Sequence, residues 1–121
     1  MDILVELKEL IAKLKKERIE YALCGGLAMA IYALPRATLD IDLLIEAPSL
    51  ESMRRAVNDL GFTVEALPME FHGGAIHIRR LSKIEPGTGE TLILDLLIVT
   101  PEIKSVWDSR TKVEWEHGDI S

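Results

Sequence analysis

The stretch "TLDIDLLIE", residues 38–46, combines the pattern of a buried strand with two acids, Asp40 and Asp42. Apolar residues at 39, 41, 43, 44 and 45 predict a strand in a sheet that is covered on both faces. Side chains alternate along a strand, so the two acids point to the same face, about 6.6 Å apart. Acids are rarely buried unless they are paired or bind a metal. Either a divalent cation lies beside this pair, or both acids project from the strand end into water.

A third acid, Asp95, lies in "TLILDLLIV", residues 91–99, with aliphatic residues on both sides. A charged and unpaired acid in such a strand is costly. If this strand adjoins the first, Asp95 joins Asp40 and Asp42. Three carboxylates form the oxygen-rich site that Mg²⁺ or Mn²⁺ prefers, with positions left for substrate phosphates.

Two glycines, Gly25 and Gly26, follow a predicted short strand at 21–24 and precede a predicted helix at 27–34. Without side chains, they let a phosphate approach backbone N–H groups and the positive end of the helix. Close packing alone also explains a glycine pair at such a turn. The combination with two acids on the next strand favours a phosphate cradle beside a metal site.

The remaining pattern predicts an α/β (or α+β) domain, with a mixed β-sheet flanked by helices, over residues 1–121. Ser49 is expected to cap a helix that begins at Leu50 and stops at Gly61. The other predicted elements are a helix at 2–18, strands at 62–67, 75–81 and 91–99, an irregular segment at 68–74, and a hairpin turn before Thr91.

Composition limits the function classes. The net charge of −6 argues against a broad, sequence-blind nucleic-acid surface, although local basic clusters could still contact phosphates. Basic residues such as Arg79 and Arg80 are interpreted first as a solvated face or as favourable charge at a helix C-terminus. The single Cys24 cannot form an internal disulfide, which predicts a cytoplasmic location. No apolar run is long enough to span a bilayer, so no membrane partner is expected.

At this point the sequence resembles a known family. "LCGGLAMAIYALPRATLDIDLLI", residues 23–45, is similar to the motif of the nucleotidyltransferase superfamily of DNA polymerase beta type: a glycine pair, a short helix and Asp-x-Asp on the next strand. "LDL" at 94–96 looks like the third acid. The run of Arg36, Thr38, Asp40 and Asp42 resembles in particular the small prokaryotic members, including the minimal nucleotidyltransferases and the toxin-like group of abortive-infection systems. The resemblance covers roughly residues 20–100.

The resemblance implies a nucleotidyltransferase-like fold and transfer of a nucleoside monophosphate from a triphosphate to a hydroxyl. In this family Asp40 and Asp42 would hold the Mg²⁺ (or Mn²⁺) that carries the nucleotide. Asp95 would help to hold the metal that activates the acceptor hydroxyl.

Nucleotide binding is expected from four further residues. Gly25 and Gly26 would contact the phosphates. Arg36 would add a charge-assisted contact to phosphate, with a surface salt bridge as the alternative. Thr38 belongs to the same motif, although a threonine here also simply favours the strand.

The acceptor is left open among a protein side chain, an RNA end and a small molecule. So short a core has little room for an acceptor site, so we expect a partner protein or a missing C-terminal helical segment to supply it. The resemblance suggests a toxin–antitoxin type of system. The alternative function is a non-catalytic module that keeps the fold and binds a nucleotide or a partner, and the oligomeric state is left open.

Overall fold

A computed structural model describes residues 2–23, 38–108, 113–115 and 118–120 of the chain. The first helix, α1, spans Ile3–Lys16, and its N-terminus is capped by Asp2, whose carboxylate accepts a 2.9 Å hydrogen bond from the Leu4 N–H. Its buried residues recur at helical spacing and are Leu7, Leu10, Ile11 and Leu14. The predicted amphipathic helix is therefore confirmed.

A six-stranded sheet forms the centre of the protein. Its strands are β1 (Ala22–Leu23), β2 (Thr38–Ile45), β3 (Val64–Glu65), β4 (Met69–Phe71), β5 (Ile76–Ile84) and β6 (Thr91–Ile98). The order across the sheet is β1, β2, β6, β5 and then β3, with β4 also paired to β5. The β2 and β6 strands are parallel, whereas the other pairs are antiparallel. The predicted mixed sheet flanked by helices is confirmed.

The main core lies between α1, a second helix α2 (Leu50–Asn58) and one face of the sheet, called here the helix face. Helix α2 buries Met53, Ala56 and Val57. The sheet supplies the alternate residues of its central strands, which are Ile41, Leu43, Ile45, Leu81, Leu92, Leu94 and Leu96. Because strand side chains alternate, the residues between these point to the opposite face, called here the open face.

A smaller cluster covers one end of the open face. The third helix, α3 (Lys104–Asp108), contributes the buried Trp107, which packs with Ala22 of β1 and Leu44 of β2. A separate two-stranded hairpin is formed by β7 (Val113–Trp115) and β8 (Gly118–Ile120). None of the helices in the described ranges combines the length and the hydrophobicity that a bilayer crossing requires.

Three local predictions differ from the structure. Helix α2 begins at Leu50 as predicted, but Ser49 makes no capping hydrogen bond through its side chain, because it lies with helical backbone angles in the 3₁₀ turn Ala47–Ser49. The strand predicted at 62–67 is reduced to β3, since Phe62 turns into the core and Pro68, which has no N–H group, follows. The segment predicted to be irregular contains β4, which uses the free edge of the long strand β5.

Candidate functional site

The two acid-bearing strands are neighbours, and their register aligns the acids. In the parallel pair of β2 and β6, Asp42 lies directly opposite Asp95, and Asp40 lies opposite Ile93. Adjacent strands are about 4.8 Å apart, so Asp42 and Asp95 are immediate cross-strand neighbours. Asp40 is the next residue on the same side of β2.

All three acids belong to the open face. Their neighbours in sequence, Ile41, Leu43 and Leu94, are buried in the main core on the helix face, and alternation places the acids on the other side. The alternate aliphatic residues of both strands therefore serve the main core. The acids share the open face with Leu44 and Leu97, which pack in the smaller cluster around Trp107.

The acids differ in depth. Asp40 is exposed and Asp42 is half-buried, whereas Asp95 is only 8% exposed and is the buried charged residue of the described core. The acids on β2 had two explanations, a bound divalent cation and projection into water. The exposure of the Asp40 side chain agrees with projection into water. That explanation does not extend to Asp95, whose burial requires a partner.

The partner of Asp95 is Arg80, on the neighbouring strand β5. The register places Arg80 directly opposite Asp95, and the guanidinium donates from Nε to Oδ1 at 2.8 Å and from Nη2 to Oδ2 at 3.0 Å. This two-point contact is the strong geometry for an arginine and a carboxylate. The Asp95 side chain is 11% exposed and that of Arg80 is 40% exposed, so the carboxylate is the deeper member of the pair.

The sequence-based interpretation of Arg80 as part of a solvated basic face missed this contact. The sequence offered only a partial signal, an arginine and an acid on two consecutive predicted strands. The pairing itself depends on the observed register, in which the strands run antiparallel without a bulge from Ile84 opposite Thr91 to His77 opposite Ile98. Arg79, the adjacent residue, belongs to the opposite face of the same strand, since Leu81 beside Arg80 lies in the main core.

The electrostatics show an excess of negative charge. Burial raises the pKa of the Asp42 carboxyl, and the charges of Asp95 and Asp40 raise it further, while Arg80 acts in the opposite direction. The hydrogen bonds to Asp95 raise the pKa of Arg80, with further support from the charges of Asp40 and Asp42. Three carboxylates thus lie near one guanidinium, whose two-point contact goes to Asp95.

The donor set fits a cation only in part. Asp40 and Asp42 share a strand face and reach solvent, which suits one Mg²⁺ or Mn²⁺ with positions left for water or phosphate oxygens. Both oxygens of Asp95 already accept hydrogen bonds from Arg80. Within the described ranges, no group of three or more acid, histidine or cysteine side chains is arranged to hold a metal ion.

The predicted nucleotide-binding residues lie largely outside the described part of the chain. Gly25, Gly26 and Arg36 fall within residues 24–37, which the structure does not describe. Thr38 is the first residue of β2, and its backbone is aligned with Thr91 of β6. The phosphate cradle therefore stays a prediction from the sequence.

No family model matches the chain, and no curated protein matches it. The resemblance to nucleotidyltransferases therefore rests on the sequence motif.

Proposed function

We propose that the protein is a metal-dependent nucleotidyltransferase with a nucleotidyltransferase-like fold. The observation that carries this proposal is the alignment of Asp42 with Asp95 across two parallel strands, with Asp40 on the same face. Two of these acids were expected together from one strand. The third comes from a segment more than fifty residues away, and its arrival at the same point supports a shared function.

The described residues suggest a division of roles. Asp40 and Asp42 would hold Mg²⁺ (or Mn²⁺) and bring the triphosphate to the open face. When bound, the metal would neutralise the phosphates, lower the pKa of the acceptor hydroxyl and stabilise the leaving pyrophosphate. Asp95, held by Arg80, lies at the deeper end of the acidic cluster formed by Asp40, Asp42 and Asp95. The resemblance implies that Gly25, Gly26 and Arg36, which lie outside the described residues, would contact the phosphates.

The proposed transfer forms one bond to the α-phosphorus and breaks another. The acceptor oxygen forms a bond to the α-phosphorus, the bond from that phosphorus to the bridging oxygen breaks, and pyrophosphate leaves. The hydroxyl proton passes to a carboxylate or to water. A label on the α-phosphate therefore remains on the acceptor, whereas a label on the γ-phosphate leaves with pyrophosphate.

The acceptor is a hydroxyl of a protein, an RNA end or a small molecule. We propose that a partner protein completes the acceptor site, in a cytoplasmic system of toxin–antitoxin type. This part of the proposal rests on the resemblance.

A second candidate function is a non-catalytic module that binds a nucleotide or a partner. The specific observation in its favour is the two-point contact between Arg80 and Asp95, which occupies the third acid. A module without turnover would have no need to free that carboxylate.

Labelled nucleotides separate the two functions. The protein is incubated with each α-labelled triphosphate, Mg²⁺ or Mn²⁺, and cell extract, and a parallel reaction uses the γ-label. We expect transfer of the α-label only, and a loss of about 100-fold or more in Asp40→Asn, since metal ligands are this sensitive. Asp108→Asn is the matched control, because this exposed acid pairs with Lys104 on the separate helix α3.

Three outcomes of the labelling experiment distinguish these functions. Transfer that requires Asp40 supports the enzyme. Metal-dependent nucleotide binding without transfer supports the binding module. If neither transfer nor binding occurs, or if Asp40→Asn behaves like Asp108→Asn, the acidic cluster is not a nucleotide site.

A further inference from the structure

Arg80 holds Asp95 in a way that bears directly on cation binding. Each oxygen of the Asp95 carboxylate accepts one hydrogen bond from the guanidinium, at 2.8 and 3.0 Å. A cation that approaches Asp95 must compete with this contact and with the positive charge behind it. The other two acids make no hydrogen bond or ion pair recorded among the described residues, and Asp40 is exposed.

We propose that Arg80 is a positioning residue that keeps Asp95 out of metal coordination in the resting protein. The resting site then takes one cation, at Asp40 and Asp42, and Asp95 becomes a ligand only when Arg80 moves away. This inference rests on the proposed function, because it concerns how the same acidic cluster is used.

The geometry supports this role over a purely structural one. An arginine that served only to neutralise a buried acid could lie anywhere beside it. Arg80 lies directly across from Asp95, which itself lies directly across from Asp42, so Arg80 and Asp42 are the cross-strand neighbours of Asp95 on its two sides. The Arg80 side chain is also 40% exposed, which leaves it room to move toward solvent.

The chain offers a matched control in Arg79. Arg79 lies on the same strand as Arg80, is also half-buried and carries the same charge, but it belongs to the helix face. Its substitution changes the net charge by the same amount as that of Arg80 without touching the contact to Asp95.

The test is a titration of metal-free protein with Mn²⁺, followed by the loss of the electron paramagnetic resonance signal of free Mn²⁺. The variants are Arg80→Met, Arg79→Met, Asp40→Asn and the double variant Arg80→Met with Asp95→Asn. We expect one bound Mn²⁺ in the unmodified protein. Arg80→Met should bind a second Mn²⁺ or bind the first about tenfold more tightly, because a unit charge about 6 Å away is worth at least this in a half-exposed site. The gain should disappear in the double variant and be absent in Arg79→Met.

If Arg80→Met does not fold, Arg80→Lys replaces it. A lysine keeps the charge but cannot hold both oxygens at once, so a gain of a few-fold is expected. Equal Mn²⁺ binding by the unmodified protein and the folded Arg80 variant overturns the inference. The proposed function survives that result if Mn²⁺ binding still requires Asp40. If no variant binds Mn²⁺, the inference and the metal-dependent function fail together.

Discussion

The stability of the Arg80 and Asp95 pair gives the sharpest prediction, because the two partners are unequally buried. Arg80→Met keeps most of the side-chain stem and removes the charge, which leaves a carboxylate that is 11% exposed without its partner. Breaking a fully buried pair in this way costs about 3–5 kcal/mol. The Arg80 side chain is 40% exposed, so water can partly hydrate the Asp95 carboxylate once the guanidinium is removed. We therefore expect the free energy of unfolding to fall by about 2–3 kcal/mol.

The reverse change is expected to cost less. Asp95→Asn leaves Arg80 charged, but the exposed part of that side chain can be hydrated, so a loss of about 1 kcal/mol is expected. The double variant removes both charges and should be more stable than Arg80→Met alone, since a neutral pair leaves no buried charge. Arg79→Met should lie within about 0.5 kcal/mol of the unmodified protein, because it leaves no buried charge without a partner.

Urea unfolding at neutral pH in the presence of a chelator measures these differences. Trp107 is 3% exposed, so its fluorescence reports loss of the packing around the open face, and circular dichroism reports the helices. For a chain of this size, a loss of 2–3 kcal/mol corresponds to a fall in Tm of roughly 8–12 °C. The reasoning is refuted if Asp95→Asn is as destabilising as Arg80→Met, or if the double variant shows the sum of the two single losses.

Two further predictions concern Asp42 and Gly61. Because the pKa of Asp42 is raised in the folded protein by burial and by its acidic neighbours, ionisation of Asp42 destabilises the fold as the pH rises from the ordinary aspartate pKa through the raised one. Asp42→Asn should therefore raise the free energy of unfolding of the metal-free protein by about 1 kcal/mol at neutral pH, and urea unfolding in acid should show no such increase. An increase in stability that persists in acid would contradict a charge effect. Gly61 has φ +101° and a Cβ there would lie 3.2 Å from Lys83 Cε, so Gly61→Ala should cost about 1–3 kcal/mol in thermal unfolding. Gly87 lies in open space without a positive φ, so Gly87→Ala should leave the stability nearly unchanged. Equal losses of stability in the two variants would show that backbone strain at Gly61 is not the cause.

Much of the fold could be predicted because its patterns are local. The apolar stripe of α1, the alternation in β5 and the aliphatic runs of β2 and β6 each predicted an element within a few residues of its observed bounds. The stop at Gly61 was also correct, since its positive φ suits a glycine. These features depend on neighbours along the chain, which the sequence displays directly.

The misses share a different cause. The strand β4 exists because the edge of β5 was available for Met69–Phe71 to pair with, and nothing in the composition of that segment requires it. Ser49 has the residue type of a cap, but the 3₁₀ turn before α2 gives it helical backbone angles. In both places the partner, or the path of the chain, overrode the local preference.

The acidic cluster shows the same division. The sequence by itself determined that Asp40 and Asp42 share a face and that Asp95 needs a partner, because alternation and the cost of a buried charge follow from residue types and spacing. Only the tertiary structure decided that β2 and β6 run side by side in a register that sets Asp42 against Asp95, and that the required partner is Arg80. The physical reason is that a charge buried in a sheet is balanced across strands, and the pairing of strands is a property of the whole fold.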